Sequence, residues 1–215
     1  MFHLSPAVQA FAFGTSGYAV GALSAAYYVV RAARGTDIRA LHSGNAGATN
    51  AGRVLGRRGF VLVFALDCLK GAVAVWLPRL VEAPPEVCGV AALMVVAGHV
   101  WPPQLHFRGG KGIATAIGAV PVATPWLALH LLLVAAATVL ATRRPHLAGL
   151  AAVVALVPVA RGLGLPGGLT ATLVALVLVI LWAHRRDLSA ALRVRRDGAT
   201  TAATTAATTA ATTGR

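Results

Sequence analysis

Three runs, Phe60–Leu77, Leu127–Ala141 and Leu169–Ala183, limit what this chain can become, because their only acidic residue is Asp67. They approach the roughly 20 apolar residues that carry a helix across a bilayer. In lipid the backbone must satisfy its own hydrogen bonds, so helices are the economical solution. Polar faces then need burial against each other, and small residues let helices approach closely. The chain is 57% hydrophobic and 12% charged, with a mean hydropathy of +0.74. A soluble domain carries about a quarter charged residues. The expectation is an all-α, polytopic transmembrane helix bundle.

The spans can be placed in order. Ala7–Val30 is the first, with Gly14, Ser16, Gly17, Gly21 and Ser24 as close-packing positions. Met1-Phe2-His3 has no basic n-region, so this segment reads as a retained helix. Arg31, Arg34, Arg39, Arg53, Arg57 and Arg58 make the next connection the most basic internal one. Positive residues favour the cytoplasmic side, which puts the N-terminus outside. Phe60–Leu77 leads outward, and Val87–Val100 returns to the Trp101-Pro102-Pro103 break and a second polar loop, Gln104–Gly112. Ile113–Thr124, Trp126–Ala141, Leu147–Val159 and Leu169–Ala183 bring the count to about seven helices, or five if the short ones merge. Seven leaves nearly every arginine cluster inside, and either count leaves the C-terminus cytoplasmic. His184–Asp197 reads as a basic surface segment, with Leu188, Leu192, Arg193, Arg195 and Arg196 close together. Residues 1–198 form the membrane domain and 199–215 a low-complexity Ala/Thr tail.

The net charge of +13 and pI of 11.6 follow from this topology and from contact with anionic lipid, so no nucleic-acid partner is implied. Cys68 and Cys88 lack redox or metal spacing, and the histidines His3, His99, His130 and His146 form no metal cluster. No metal or cofactor is expected, and the sequence says nothing of oligomeric state.

Three polar stretches emerge on the same side: Arg39–Arg58, Gln104–Thr115 and His184–Asp187. The first contains His42-Ser43-Gly44-Asn45-Ala46-Gly47-Ala48-Thr49-Asn50 and Arg53, a set of short donors, glycines and fixed charge suited to an oxyanion. It reads equally as a polar loop between two helices. The second, Arg108-Gly109-Gly110-Lys111-Gly112-Ile113-Ala114-Thr115, sets three glycines and a lysine before an apolar helix. Such a nest binds phosphate. It is not a nucleotide P-loop, since Gly112 stands where that motif needs Ser or Thr.

These stretches resemble the bacterial acyl-phosphate-dependent glycerol-3-phosphate acyltransferases, the PlsY family. Residues 39–50 with Arg53-Val54-Leu55-Gly56 are similar to its first motif, and Asp67-Cys68-Leu69-Lys70-Gly71 to the end of its next helix. Gly98-His99-Val100-Trp101-Pro102 with Phe107–Thr115 are similar to the second motif, and His184-Arg185 to the start of the third. The resemblance implies an inner-membrane enzyme whose active site faces the cytoplasm. It would move a fatty acyl group from acyl phosphate to the 1-hydroxyl of sn-glycerol 3-phosphate, giving lysophosphatidic acid and phosphate. Ser43, Arg53, Lys111 and His184 would be catalytic. Gly44, Asn45, Gly47, Thr49, Asn50, Gly109, Gly110, Gly112, Thr115, Arg185 and Asp187 would bind substrate. The proton of the attacking hydroxyl would go to His184 or to a substrate phosphate oxygen.

Two departures stand out. The family has Gly and Pro where this chain has His42 and Ala46, and Asn where it has Asp187. A carboxylate repels phosphate unless Arg185 or Arg186 neutralises it. A transporter for an anionic metabolite uses similar loops, but near midplane and between repeated halves. The charges here gather at one face, without an internal repeat, which favours an interfacial enzyme over a transporter; an inactive relative is the third reading.

Overall fold

The structure is a computed structural model that describes residues 4–143, 145–187 and 189, with the backbone alone at 145 and 146. His3, Arg144, the distal part of the basic surface segment and the Ala/Thr tail lie outside the described residues. The described elements are helical: α1 Pro6–Ala22, α2 Ala25–Arg34, α3 Ala48–Leu80, α4 Pro85–Val100, α5 Ile113–Ala123, α6 Pro125–Thr142, α7 Pro145–Gly162 and α8 Gly167–Asp187. Two 3-10 turns, Ile38–Ala40 and Pro103–Leu105, precede α3 and follow α4. The chain forms two units, Met1–Ile180 and Leu181–Arg215, the second opening with the last residues of α8.

Four of the described helices, α3, α4 with its following turn, α6 and α8, are long and apolar enough to cross a membrane. The outer surface agrees with a lipid solvent. α6 buries Leu127 and Leu131 but leaves Leu129, Leu132, Leu133 and Leu140 exposed, an apolar face that water would not tolerate.

Inside, glycine sets the helix spacing. A Cβ at Gly21 of α1 would collide with the Val95 carbonyl of α4, and one at Gly98 of α4 with the Tyr18 carbonyl of α1. α3 and α5 meet in the same way, with Gly71 against the Thr115 carbonyl and Gly118 against that of Cys68. Backbones touch here because no side chain stands between them, the contact that holds helices together where lipid supplies no hydrophobic drive.

The first span is not one helix. It breaks at Leu23 and Ser24, whose ψ angles are 98° and 93°, into α1 and a separate α2. A break at membrane depth is tolerable only where the freed carbonyls find donors. Gln104 Nε2 donates to Ala22 O, and Lys70 Nζ donates to Leu23 O at 2.9 Å. α2 is then free to lie with Ala26 and Val30 fully buried while Arg31 and Arg34 stay exposed. Together with Ile38, Ala46, Ala48, Ala51 and Val63 they form a small apolar floor.

The basic connection also differs from the expected loop. It turns helical at Ala48, so Thr49, Asn50, Arg53, Arg57 and Arg58 belong to α3. The helix is interrupted at Gly56, with φ 72° and ψ −167°, a region open to glycine alone. The chain before the kink folds back on the chain after it. A Cβ at Gly52 would meet Phe60, and one at Gly59 would meet Leu55 and the Ala51 carbonyl. The fold-back places the first turns of α3 over the buried floor instead of extending them into solvent. Gly56→Ala should therefore lower stability by about 1–3 kcal/mol, read as a fall in thermal midpoint in lipid or detergent.

Candidate functional site

The two polar loops are joined at several points. Asp37 caps the first 3-10 turn by accepting from Arg39 N at 2.9 Å, and grips the Arg39 guanidinium at 2.6 Å. The Arg39 hydrogen bond holds the Asp37 carboxyl below its ordinary pKa, against the opposing effect of burial. Arg39 also donates to the Leu105 carbonyl in the second loop and lies over the Tyr27 ring. Its charge is thus matched, and its role in the fold is that of a strut. A second link runs from Ala46 N to Gly109 O at 3.4 Å.

Asn50 organises the first loop from below. It is 1% exposed, and its amide donates to the carbonyls of Ile38 and Leu41 at 3.2 and 3.0 Å. Its Oδ1 accepts from Ser43 N at 3.4 Å. The loop is therefore wrapped around one buried amide, which leaves Ser43, Gly44 and Thr49 exposed and Asn45 half-buried at its rim. Arg53, one turn further along α3, is exposed as well.

The second loop is anchored to the end of α4. Gly109 N donates to Val100 O and Gly110 N to His99 O, each at 3.0 Å. His106 and Phe107 take the left-handed conformation, with φ 53° and 58°, a local strain that turns the chain back toward the helix end. Gly112, with φ 87°, is the N-cap of α5. Lys111 beside it is half-buried, and Thr115 in the first turn is fully buried on α5, its Oγ1 without a hydrogen-bond partner among the described residues.

The result is two helix N-termini near one another. α3 begins two residues beyond Ala46 and α5 three residues beyond Gly110, the two points at which the loops touch. Both have glycine N-caps, no side-chain cap and no acidic residue in the first turn. The positive ends of two helix dipoles thus lie beside the loop junction, with Ser43 and Arg53 near the first in sequence and Lys111 near the second. Anion binding is the chemistry such an arrangement does best.

His184, Arg185 and Asp187 belong to the second unit. His184 is buried and Asp187 exposed. Arg185 stacks over the Trp182 ring at 3.6 Å and donates to the Trp182 carbonyl at 2.8 Å.

Sequence reasoning gave no site role to a buried cluster in the bundle. Lys70 Nζ lies 2.9 Å from Asp67 Oδ1 and 2.8 Å from His99 Nδ1, and His99 Nδ1 lies 3.5 Å from Asp67 Oδ1. All three side chains are nearly sealed from solvent. The available signal was the Asp67–Lys70 pair at i,i+3 within an apolar run, where opposite charges share a helix face.

Helices of this length and apolarity, with two glycine-capped helix N-termini beside a loop junction, define the class as an integral membrane protein with a place suited to an anion. The glycerol-3-phosphate acyltransferase family matches residues 11–194. Glycerol-3-phosphate acyltransferase 1 of Desulfitobacterium hafniense (strain Y51) is 39% identical over 175 residues, covering 81% of this chain and 87% of that one. The crystal structure of PlsY (YgiH), an integral membrane glycerol 3-phosphate acyltransferase, in its glycerol 3-phosphate form superposes with a TM-score of 0.78 at 32% identity, over 86% of this chain and 93% of that one. Its lysophosphatidic acid form gives a TM-score of 0.76 at 30% identity, over the same shares of the two chains. The chain belongs to the glycerol-3-phosphate acyltransferase family.

Two predictions follow from the loop geometry. His42, the residue standing where the family has glycine, has a left-handed φ of 46°. His42→Gly should raise stability by about 1 kcal/mol, measured as an upward shift in thermal midpoint, because glycine enters this region without a Cβ clash. The Asp37 carboxylate contributes stability that is complete above its unfolded pKa and is lost as pH falls through its depressed folded value. Asp37→Asn should accordingly flatten the acid limb of a stability-against-pH curve and leave its shape above pH ~6 unchanged.

Proposed function

We propose that this chain transfers a fatty acyl group from acyl phosphate to the 1-hydroxyl of sn-glycerol 3-phosphate, at the cytoplasmic face of the inner membrane. The observation that carries the reading is the pair of uncapped helix N-termini beside a common loop junction. Both substrates carry phosphate, so the site must hold two anions side by side. The first loop, with Ser43, Gly44 and Thr49 exposed, Asn45 half-buried and Gly47 buried at the start of α3, forms one wall together with Arg53. Gly109, Gly110, Lys111 and Gly112 at the start of α5 form the other. Asn50 serves by holding the first wall in shape, and Thr115 lies behind the second.

Acyl phosphate is a mixed anhydride and is already activated. Attack of the glycerol 1-hydroxyl forms the new C–O ester bond, and the C–O bond to phosphate breaks as phosphate leaves with its electron pair. The hydroxyl proton passes to His184 or to a phosphate oxygen. Alignment and stabilisation of charge on the carbonyl and departing phosphate supply the acceleration, so a protein nucleophile is not needed. The acyl chain stays in lipid or between helices. The role the family resemblance implies for Arg185 and Asp187 is substrate binding, with Asp187 accepting from a glycerol hydroxyl. The basic connection between α2 and α3 supports a cytoplasmic site, an outside N-terminus and a cytoplasmic C-terminus.

Purified protein in lipid, given palmitoyl phosphate and glycerol 3-phosphate, should release phosphate and lysophosphatidic acid. Lys111→Ala should lower kcat/KM by about 100-fold or more. Release no faster than that variant's would defeat the assignment for these substrates. Asp187→Asn tests the third-motif departure. Unchanged turnover and affinity would show that Asp187 sets neither.

A further inference from the structure

The buried cluster lies directly behind the second loop. Lys70 donates to the Leu23 carbonyl at 2.9 Å and to His99 Nδ1 at 2.8 Å, and its charge is paired with Asp67 Oδ1 at 2.9 Å. With Nδ1 accepting from the ammonium, the ring proton sits on Nε2, and the orientation of the imidazole is fixed. That Nε2 edge lies against Gly110. A Cβ at Gly110 would collide with His99 Nε2 and Cε1 and would stand 3.0 Å from the Ala46 carbonyl. The His99 carbonyl meanwhile accepts from Gly110 N. The loop is thus seated on both the backbone and the ring of one residue, at the place where the two loops meet.

The cap on the Leu23 carbonyl accounts for a donor at Lys70, but stability gives no further reason for Asp67 and His99 beside it. A buried ion pair is commonly no better than well-packed apolar residues of the same volume, and ionisable groups at membrane depth are costly. We propose that Lys70, Asp67 and His99 are positioning residues, which fix the His99 ring beneath Gly110 and so hold Lys111 and the first-turn N–H donors of α5 at the spacing that binds glycerol 3-phosphate. Because the donors act on the bound phosphate before and during reaction, their misplacement affects binding more than turnover. The inference rests on the acyltransferase reading above.

The test uses the full chain in lipid vesicles with palmitoyl phosphate and glycerol 3-phosphate. Wild-type turnover is measured first, and its absence sinks the acyltransferase reading itself. His99→Asn keeps an acceptor for Lys70 but removes the Nε2 edge. The double variant Asp67→Asn/Lys70→Met removes both charges together, leaving no lone buried ion. Each should raise KM for glycerol 3-phosphate about tenfold while kcat stays within about threefold of wild type. The double variant should also melt closer to wild type than Lys70→Met alone, which separates charge compensation from positioning. A KM within twofold of wild type in either folded variant, or a fall in kcat with KM unchanged, overturns the proposal. Failure of both variants to fold assigns the cluster a purely structural role and overturns it equally.

Discussion

The ammonium of Lys70 is the point at which the bundle and its polar end depend on each other. α1 stops at Ala22 and α2 restarts at Ala25, and the carbonyl exposed between them is capped by that ammonium. Without a donor, the break would leave an unsatisfied backbone group inside the membrane, at a cost of several kcal/mol by the usual estimates. Because the break is satisfied, α2 can turn aside and supply Ala26 and Val30 to the floor beneath the first polar loop. The same ammonium reaches His99, on whose carbonyl the second loop hangs. Removing one partner of such a buried pair costs about 3–5 kcal/mol, far more than any single surface contact in the loops.

The departures from the family pattern in the first loop have opposite physical signs. Histidine at position 42 occupies a left-handed conformation that glycine would enter freely. Alanine at position 46 carries an N–H that proline lacks, and that N–H makes the cross-loop link to Gly109. The link is long, at 3.4 Å. A hydrogen bond of this kind contributes about 1 kcal/mol net at most, and proline would restrict the unfolded chain by a similar amount. The exchange at position 46 is therefore close to neutral in stability, and what it adds is a connection between loops. Strain at 42 and linkage at 46 act on the same few residues that present Ser43 and Gly44.

Much of this was legible in the sequence, and the parts that were not share a cause. Apolar runs report spans because lipid imposes one solution on the backbone, so the helices from Phe60 onward fell where hydropathy put them. Nothing local forbids a helix through Leu23 and Ser24, so the sequence predicts a continuous first span. The break is licensed by Gln104 and Lys70, which lie 82 and 47 residues away from the carbonyls they cap. Likewise Gly47–Arg58 looked like loop because its glycines and polar residues carry weak helix propensity, yet packing on the apolar floor overrides it. The polar motifs are visible as residue types, but their loops meet on backbone groups, Arg39 on the Leu105 carbonyl and Ala46 N on Gly109 O, and an acceptor carbonyl leaves no pattern in side-chain identity.

Charge explains why an anion would settle at this end of the helices. Six acidic residues are spread along the chain. Asp67 is paired inside the bundle, and Glu82 and Glu86 flank the opposite end of α3, where it turns into α4. Of the loops that precede α3 and α5, the first contains Asp37 alone and the second contains no acidic residue. Asp37 is held by Arg39, so the field of Arg53, Arg57, Arg58 and Arg108 is not offset by a carboxylate within those loops. Distributed cations attract phosphate from a distance, but they are screened within about 8 Å at physiological salt and impose little geometry. The glycine-capped N-termini of α3 and α5 add the directed donors that the arginines lack, and the loops before them are anchored by hydrogen bonds to Asn50 and to the His99 carbonyl. Long-range attraction and short-range direction thus come from different residues, and only the second depends on the buried interior of the bundle.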